Sequence, residues 1–231
     1  MKRVAGVLGG MGPDATVDFM AKVIALTPAG KDQDHVRMLV DHNPGIPNRQ
    51  AALLQGGEDP GPVLAAMAAG LEAAGADFLV IPCNTAHAFS DAITAAVGIP
   101  LVSIIDLTVD ACAGHDAIGL LATDGCIASR VYQDALAARG IRVVLPGTTE
   151  MQEIMRLVTA IKAGDRSDAV AAAMQAVAAA LIARGAGAVI AGCTEIPLVL
   201  DAGMLEVPLV SSTDVLAAAT VDIARGVRPL D

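Results

Sequence analysis

The chain has 231 residues, which suits one large domain or two small ones with enough material for a hydrophobic core. Its formal net charge is −10 at pH 7 and it has no run of Lys or Arg, which argues against a nucleic-acid-binding surface. Hydrophobic residues make up 54% of the chain and aromatic residues only 2%, a composition that favours aliphatic helices packed on a sheet over a β-sandwich.

Apolar runs alternate with helical patterns along the whole chain. The runs that predict strands are, in chain order, RVAGVLG, VRMLV, DFLVI and PLVS in the first part and AIGLLA, IRVVL, GAVIAG and PLVSS in the second. Helical patterns lie between them at Asp14–Ala25, Pro62–Ala74, Ser129–Ala138, Glu150–Ala163 and Asp168–Ala183. This alternation predicts an α/β fold in which parallel sheets are covered by helices on both faces.

The apolar segments do not predict a signal peptide or a membrane span. The starting segment MKRVAGVLGGMGPD is interpreted as a first strand, because its glycines, its proline and Asp14 interrupt the apolar stretch that a signal peptide needs. The longest apolar stretch, from Val170 to Ala183, is too short to cross a bilayer. We therefore expect a soluble, cytoplasmic protein without membrane contact.

The second part of the chain repeats the first. The segment GADFLVIPCNT, from Gly75, aligns without a gap to GAGAVIAGCTE, from Gly185, and places Cys83 on Cys193. Two further pairs of segments match on either side, PLVSIID with PLVSSTD downstream and GVLGGMGPDATVDF with GLLATDGCIASRVY upstream. A duplication of this length predicts two similar α/β halves related by a pseudo-twofold axis.

The chain has four cysteines, and none belongs to a CxxC pair or to a Cys/His cluster with metal-ligand spacing: Cys83, Cys112, Cys126 and Cys193. We expect free thiols and no bound metal. Cys83 and Cys193 each follow a predicted strand, and ligands of open parallel sheets bind at the carboxyl ends of strands. Two buried structural cysteines are the alternative, but polar residues after each thiol favour a site in the cleft between the halves.

Two facing thiols have a defined chemistry. A thiol has a reference pKa of about 8.5, and a helix N-terminus lowers that pKa; each cysteine stands between a strand and a helix. A thiolate on one face of a carbon and a thiol on the other form a base and an acid that together invert a stereocentre. Asn84, Thr85 and Thr194 follow the thiols and are expected to donate hydrogen bonds to a carboxylate on which charge develops.

Six motifs carry a family resemblance over nearly the whole chain. They are GGMGPDAT (Gly9–Thr16), IPNR (Ile46–Arg49), PCNTAH (Pro82–His87), LLATDG (Leu120–Gly125), IKAG (Ile161–Gly164) and GCTEIPL (Gly192–Leu198). With these motifs the chain resembles the cofactor-independent aspartate/glutamate racemases, and within them the aspartate racemases. Glu195 and His87 also look like the aspartate group, since glutamate racemases usually carry histidine at the position of Glu195.

The resemblance implies a racemase that needs no pyridoxal phosphate and uses Cys83 and Cys193 as its two proton-transfer groups. Arg49 matches the carboxylate-binding arginine of the family. Lys162 matches a lysine thought to meet the substrate or assist a thiolate. Two further residues are expected to line the substrate pocket by the same analogy: Met11 and Thr123.

The resemblance also implies the organisation of the molecule. The family has two domains, with the last helix returning to the first, so we expect residues 1–100 with 208–231 as one domain and 101–207 as the other. The family is commonly homodimeric. The expected partner is a small acidic amino acid, L- or D-aspartate and, as a further possibility, glutamate.

Departures from the family pattern and competing interpretations leave alternatives open. Cys126 stands where the family has threonine, and Asn48 and Gln50 flank Arg49 where many relatives read PDRT, which bears on the substrate. Related enzymes isomerise maleate, racemise hydantoins or decarboxylate malonates. The segment Gly10–Ala15 fits the dinucleotide pattern G-x-G-x-x-A, with Asp41 as its ribose-binding acid. A two-lobed protein that only binds an acidic ligand is the remaining alternative.

Overall fold

The fold is that of a computed structural model, which describes residues 2–230. All eight predicted strands form: β1 (Ala5–Gly9), β2 (Met38–His42), β3 (Phe78–Val80), β4 (Leu101–Val102), β5 (Ala117–Leu121), β6 (Arg142–Val144), β7 (Ala188–Ala191) and β8 (Leu209–Ser211). The helices are α1 (Pro13–Leu26), α2 (Arg49–Gln55), α3 (Gly61–Ala73), α4 (Ser90–Thr94), α5 (Ile104–Asp110), α6 (Asp124–Ala128), α7 (Val131–Ala138), α8 (Thr148–Lys162), α9 (Asp168–Ala183) and α10 (Ser212–Arg225). The five longer helical patterns of the sequence correspond to α1, α3, α7, α8 and α9.

The strands form two parallel four-stranded sheets with the same topology. Their strand orders are β2-β1-β3-β4 and β6-β5-β7-β8. The repeat also holds in register, because Gly6 on β1 lies opposite Leu79, and its repeat equivalent Gly119 lies opposite Val189, the equivalent of Leu79. The predicted duplicated α/β architecture is therefore confirmed strand by strand.

The inner strands of both sheets are buried along their entire length, whereas the outer strands are partly exposed. Every residue of β1, β3, β5 and β7 is buried. Parallel sheets carry helices on both faces, so an inner strand needs apolar or small residues at each position. This requirement explains why these strands read as continuous apolar runs in the sequence.

The chain divides into two compact units. The first unit takes the chain up to Ile104 and again from Thr213, and the second takes Ile105–Ser212. The predicted boundaries, after residue 100 and before residue 208, fall one strand too early at both places. Because β4 pairs with β3 and β8 pairs with β7, β4 belongs to the first unit and β8 to the second.

Each repeat contributes its last helix to the other unit. Helix α5 follows β4 but lies in the second unit, where Asp110 pairs with Arg139 at 2.7 Å. Helix α10 follows β8 but lies in the first unit, where Asp214 pairs with Lys22 of α1 at 2.7 Å. The backbone N–H of Arg3 donates to the carbonyl of Ala224 at 2.8 Å, which ties the beginning of the chain to its last helix.

The helices are amphipathic, as packing on a sheet requires. Helix α8 buries Ile154, Leu157, Val158 and Ile161, a spacing that keeps one face of a helix on the core. Each unit has its own apolar core, one around Leu8, Leu64 and Leu79 and the other around Leu157, Leu181 and Val189. Among residues 2–230, no helix combines the length and the apolar character that a membrane crossing needs.

Candidate active site

In the first unit, three predicted site residues follow three neighbouring strands. Met11 comes after β1, Arg49 after β2 and Cys83 after β3. Because the strands are parallel, these residues lie at the same edge of the sheet, where α/β proteins bind ligands. Met11 and Cys83 are 3% and 7% exposed and belong to one apolar cluster.

The loop that carries Met11 depends on Gly10. Gly10 has φ +97°, and a Cβ there would overlap the backbone carbonyl group of Asn43. Its N–H donates to Oγ1 of Thr16 at 2.9 Å, and the Thr16 hydroxyl donates to the carbonyl of Gly12 at 3.1 Å. These two bonds join the loop to the start of α1, and the N–H of Asn43, which donates to the carbonyl of Gly9 at 3.2 Å, joins it to the chain that follows β2.

Arg49 is the first residue of α2 and is partly buried. Asn48 caps this helix, its side-chain oxygen accepting from the N–H of Gln50 at 2.9 Å. The guanidinium of Arg49 folds back over its own loop and donates to the carbonyls of Ile46 at 3.2 Å and Pro47 at 3.0 Å. A guanidinium has five N–H donors in a rigid fork, so this orientation leaves donors for a ligand carboxylate.

The turn after β3 carries Cys83 and is fixed by His87. His87 lies in the 3₁₀ helix Thr85–Phe89, and its Nδ1 is 3.0 Å from the carbonyl oxygen of Cys83. Its Nε2 accepts from the backbone N–H of Ile104 at 3.3 Å. An Nε2 that accepts requires the proton on Nδ1, so the hydrogen bonds assign the neutral Nδ1–H tautomer. His87 therefore joins the turn that carries Cys83 to Ile104, which follows β4.

The predicted carboxylate-binding side chains beside the thiols are buried. Asn84 and Thr85 follow Cys83, and Thr194 follows Cys193. Their exposures are 2%, 8% and 2%, and Thr123, which precedes α6, is 4% exposed. Buried polar groups are held by hydrogen bonds, so these side chains are fixed in orientation rather than moving freely in solvent.

In the second unit, Cys193 follows β7 and contacts a buried carboxylate. Its Sγ donates to Oε2 of Glu195 at 2.9 Å. The other oxygen of Glu195, Oε1, lies 2.8 Å from Nζ of Lys162, a contact that is an ion pair rather than a well-aligned hydrogen bond. Glu195 is 3% exposed and the side chain of Lys162 is 42% exposed.

Lys162 reaches this edge of the sheet because two helices connect β6 to β7. Helix α9 leads into β7, so it runs back along the sheet, and α8 packs on α9. Helix α8 therefore ends at the edge where β7 ends, and Lys162 is its last residue. A lysine at that position also complements the helix dipole, so the structural and the functional interpretations of Lys162 both apply.

The surroundings of Cys193 raise the pKa of its thiol well above the ordinary value. Burial is the main cause, the charge and hydrogen bond of Glu195 add to it, and the charge of Lys162 opposes it. The predicted lowering of this pKa by a helix N-terminus is wrong. The helix that follows, Ile196–Leu198, is a 3₁₀ helix of three residues, too short for its dipole to outweigh burial and a carboxylate.

The other two thiols are fully buried in the second unit. Cys112 donates to the carbonyl of Thr108 at 3.2 Å, and burial raises the pKa of its thiol to about 11, as suits the predicted core role. Cys126 lies on α6, where its backbone carbonyl accepts from the hydroxyl of Ser129 at 2.8 Å. Among residues 2–230, no three His, Cys, Asp or Glu side chains are grouped as a metal ion would require.

Glu195 contacts the Cys193 thiol but does not belong to the site residues that the sequence predicts. A turn closes between Cys193 and Ile196, whose N–H donates to the carbonyl of Cys193 at 3.0 Å, and this turn brings the Glu195 side chain back onto the thiol. The sequence feature that could have indicated this contact is an acidic residue two positions after the second repeated cysteine.

Comparison with known proteins gives the class of the molecule. The sequence profile described as Asp/Glu/hydantoin racemase matches residues 8–220. The broad specificity amino-acid racemase RacX of Bacillus subtilis (strain 168) is 31% identical over 235 residues, covering 94% of this chain and 96% of RacX. A two-unit α/β architecture with this match defines an isomerase of the racemase class.

Solved racemase structures agree with this classification. The aspartate racemase of Picrophilus torridus has a TM-score of 0.88 and 28% identity, over 99% of this chain and 96% of that one. The glutamate racemase of Francisella tularensis subsp. tularensis SCHU S4, in complex with D-glutamate, has a TM-score of 0.70 over 100% of this chain and 83% of that one, and at 17% identity it shows the shared fold. The chain belongs to the Asp/Glu/hydantoin racemase family.

Proposed function

We propose that this racemase interconverts L- and D-aspartate, with glutamate as a further candidate substrate, by moving protons at Cα between Cys83 and Cys193. The main observation in support is that a cysteine follows the equivalent strand in each repeat, β3 in the first and β7 in the second, within sheets of identical strand order. The Picrophilus torridus relative, an aspartate racemase, supports the substrate.

The proposed reaction moves one proton off Cα and another onto it. The Cys83 thiolate takes the Cα proton and becomes a thiol, while the Cys193 thiol gives its proton to the opposite face and becomes a thiolate. Between the two proton transfers, the electron pair of the broken C–H bond is delocalised into the α-carboxylate. The reverse direction exchanges the two roles, and no pyridoxal phosphate takes part.

The remaining predicted site residues hold the substrate. Arg49 binds one carboxylate through its planar fork. Hydrogen bonds from Asn84, Thr85 and Thr194 stabilise the carboxylate whose negative charge grows as the proton leaves. Met11 and Thr123 line the pocket, and Lys162 acts near Cys193 through Glu195. We propose that the enzyme works in the cytoplasm as a homodimer, which light scattering after size exclusion tests.

Proton exchange at Cα tests the reaction and its cofactor independence together. The purified protein is incubated with L-aspartate in D2O without pyridoxal phosphate, deuterium at Cα is followed by NMR and enantiomers by chiral chromatography. We expect deuterium gain together with D-aspartate formation. If aspartate and glutamate both gave neither signal, the proposed substrate class would be wrong.

A broader amino-acid range is a second candidate, because the Bacillus subtilis relative is described as a broad specificity amino-acid racemase. The same exchange experiment with a panel of neutral, basic and acidic amino acids separates the two. Exchange confined to acidic amino acids supports the aspartate proposal, and comparable exchange with neutral ones replaces it with the broader activity.

Thiol variants test the two-cysteine mechanism. Cys83→Ser and Cys193→Ser are each expected to lower racemisation by at least about a hundredfold, because each removes an acid–base group. Cys112→Ser is the matched control, since that thiol is buried against Thr108. Near-normal racemisation by Cys83→Ser or Cys193→Ser would contradict the mechanism.

A further inference from the structure

The two repeated thiols have different neighbours. Two residues after Cys193 stands Glu195, whose carboxylate oxygen is 2.9 Å from Sγ. Two residues after Cys83, at the equivalent position of the repeat, stands Thr85, a neutral side chain. The duplication therefore preserves the thiols but places an acid beside only the second of them in these two motifs.

The contact between Cys193 and Glu195 defines where the proton is. An ionised carboxylate only accepts hydrogen bonds, so a hydrogen bond from Sγ to Oε2 requires the thiol to carry its proton. Removing that proton would place a thiolate and a carboxylate within 2.9 Å of each other in a buried site. Like charges in such a site oppose ionisation.

Lys162 explains why a carboxylate is tolerated at this position. A buried carboxylate is costly unless it is paired, and Glu195, which is 3% exposed, has the ammonium of Lys162 2.8 Å from its Oε1. The ammonium of Lys162 pairs with one carboxylate oxygen of Glu195, and the other oxygen accepts a hydrogen bond from the proton-bearing Sγ of Cys193. The charged groups that act on Cys193 within the described part of the second unit are Glu195 and, from α8, Lys162.

We propose that Glu195 is a positioning residue that keeps Cys193 in its protonated, proton-donating form, with Lys162 holding the carboxylate in place. The inference rests on the proposed two-thiol function and deepens it. In the free enzyme Cys193 is then the thiol that is ready to donate a proton. The raised pKa of the Cys193 thiol agrees with this geometry.

The racemisation rate alone does not test this assignment. The two enantiomers of an amino acid have equal free energies, so the equilibrium constant is one and kcat/KM must be equal in the two directions whatever the resting protonation. The thiol itself is therefore the readout. Its alkylation rate by iodoacetamide follows the thiolate fraction, and the pH at half-maximal rate reports its apparent pKa.

The experiment compares the full-length protein with its Glu195→Gln variant. Alkylation of Cys193 is followed across pH by peptide mass spectrometry, which separates it from the other three thiols. We expect the midpoint to fall by about one pH unit or more, so that the rate below the midpoint rises by about tenfold or more. The limiting rate at high pH reports access to the thiol, which separates loosened packing from loss of the carboxylate.

Two further variants complete the test. Glu153→Gln is the matched control, because Glu153 lies on α8 in an exposed pair with Arg156 and is expected to leave the midpoint unchanged. Glu195→Asp keeps the charge but moves it away from sulfur, so its alkylation midpoint should fall less than that of Glu195→Gln. It replaces Glu195→Gln as the test variant if the glutamine variant does not fold.

The outcomes separate this inference from the proposed function. An unchanged midpoint in the folded Glu195 variants, or an equal shift in Glu153→Gln, would overturn the role of Glu195 even if the enzyme racemises aspartate. A lowered midpoint supports it without any substrate present, so a failure to find racemisation would count against the proposed function alone.

Discussion

At position 10 the backbone leaves no space for a side chain. Gly10 has a positive φ and a Cβ would overlap the backbone of Asn43, whereas Gly56 also has a positive φ but no atom within 4 Å of its Cβ position. Comparing these two glycines separates the strain of a positive φ from the effect of a steric clash. It also identifies the loop that carries Met11 as the point at which a single methyl group would disturb the first unit's binding edge.

Gly10→Ala is expected to lower the free energy of unfolding by about 3 kcal/mol or more, and Gly56→Ala by about 1 kcal/mol, because only the first adds a clash to the cost of φ > 0. Urea unfolding followed by circular dichroism measures both. Equal losses for the two variants would show that the Asn43 segment moves away without cost.

Arg49 offers a test of carboxylate binding at the same edge. Arg49→Lys keeps the charge but loses the planar fork, so KM for aspartate is expected to rise by roughly tenfold or more with a smaller change in kcat. Steady-state kinetics in both directions measure this effect. Arg37→Lys, at an exposed position, is the control, and a KM unaffected by Arg49→Lys would remove Arg49 from the site.

At the scale of elements, Glu150 joins the start of α8 to the end of α9. Its two oxygens each lie 2.7 Å from a guanidinium nitrogen of Arg184, and Oε2 accepts from the N–H of Gly147, which precedes the helix, at 2.7 Å. The Arg184 hydrogen bonds lower the pKa of Glu150, and the Gly147 bond adds to the effect. Because the folded pKa lies below the unfolded one, this stabilisation is present above the ordinary pKa of 4.5 and is lost as pH falls through the folded pKa.

Glu150→Gln is therefore expected to cost about 1 kcal/mol of unfolding free energy at neutral pH. The difference from the unsubstituted protein should shrink at an acidic pH below the folded pKa of Glu150, where the carboxylate is protonated in both states. Urea titrations at the two pH values measure it, with the exposed Glu206→Gln as control. A loss that does not depend on pH would mean that the charge is irrelevant.

The sequence predicts elements whose burial leaves a regular pattern. The inner strands are continuous apolar runs and α8 is apolar on one face, so both are recognisable without the structure. Helices α4 and α6 have five residues each, too few to display a helical period. The unit boundaries were missed by one strand because strand pairing, and not the PLVS sequence itself, decides which sheet an edge strand joins.

The candidate site was predictable in part for a similar reason. The thiols and their polar neighbours repeat at the same spacing, so the alignment of the two parts is enough to find them. The contact of Glu195 with Cys193 depends on a turn after the strand, and the direction of the Cys193 pKa depends on how much that turn buries. Neither quantity is encoded in residue spacing.

At the scale of the whole molecule, the two units differ in how their chain is assembled. The second unit is continuous from Ile105 to Ser212 and contains a complete sheet and α5. The first unit has its own sheet but takes α10 from the other end of the chain. Buried residues of that helix include Leu216, Val221 and Ile223.

A fragment of residues 105–212 is therefore expected to fold alone, with cooperative thermal unfolding by circular dichroism. A fragment of residues 1–104 lacks α10 and is expected to unfold cooperatively only when residues 213–231 are joined to it through a flexible linker. Cooperative unfolding of residues 1–104 alone, at a stability that the added helix does not raise, would contradict this division of the chain.

The return of the last helix also determines when each unit is finished during synthesis. The guanidinium of Arg3 donates to the carbonyl of Ile223 at 3.0 Å, across 220 positions of the chain. On the ribosome the first unit's strands emerge before the second unit, whereas α10, which completes the first unit, emerges after the second unit. Until α10 emerges, the surface that it covers is exposed, so the nascent chain offers this apolar surface to chaperones and to aggregation while the second unit is being synthesised.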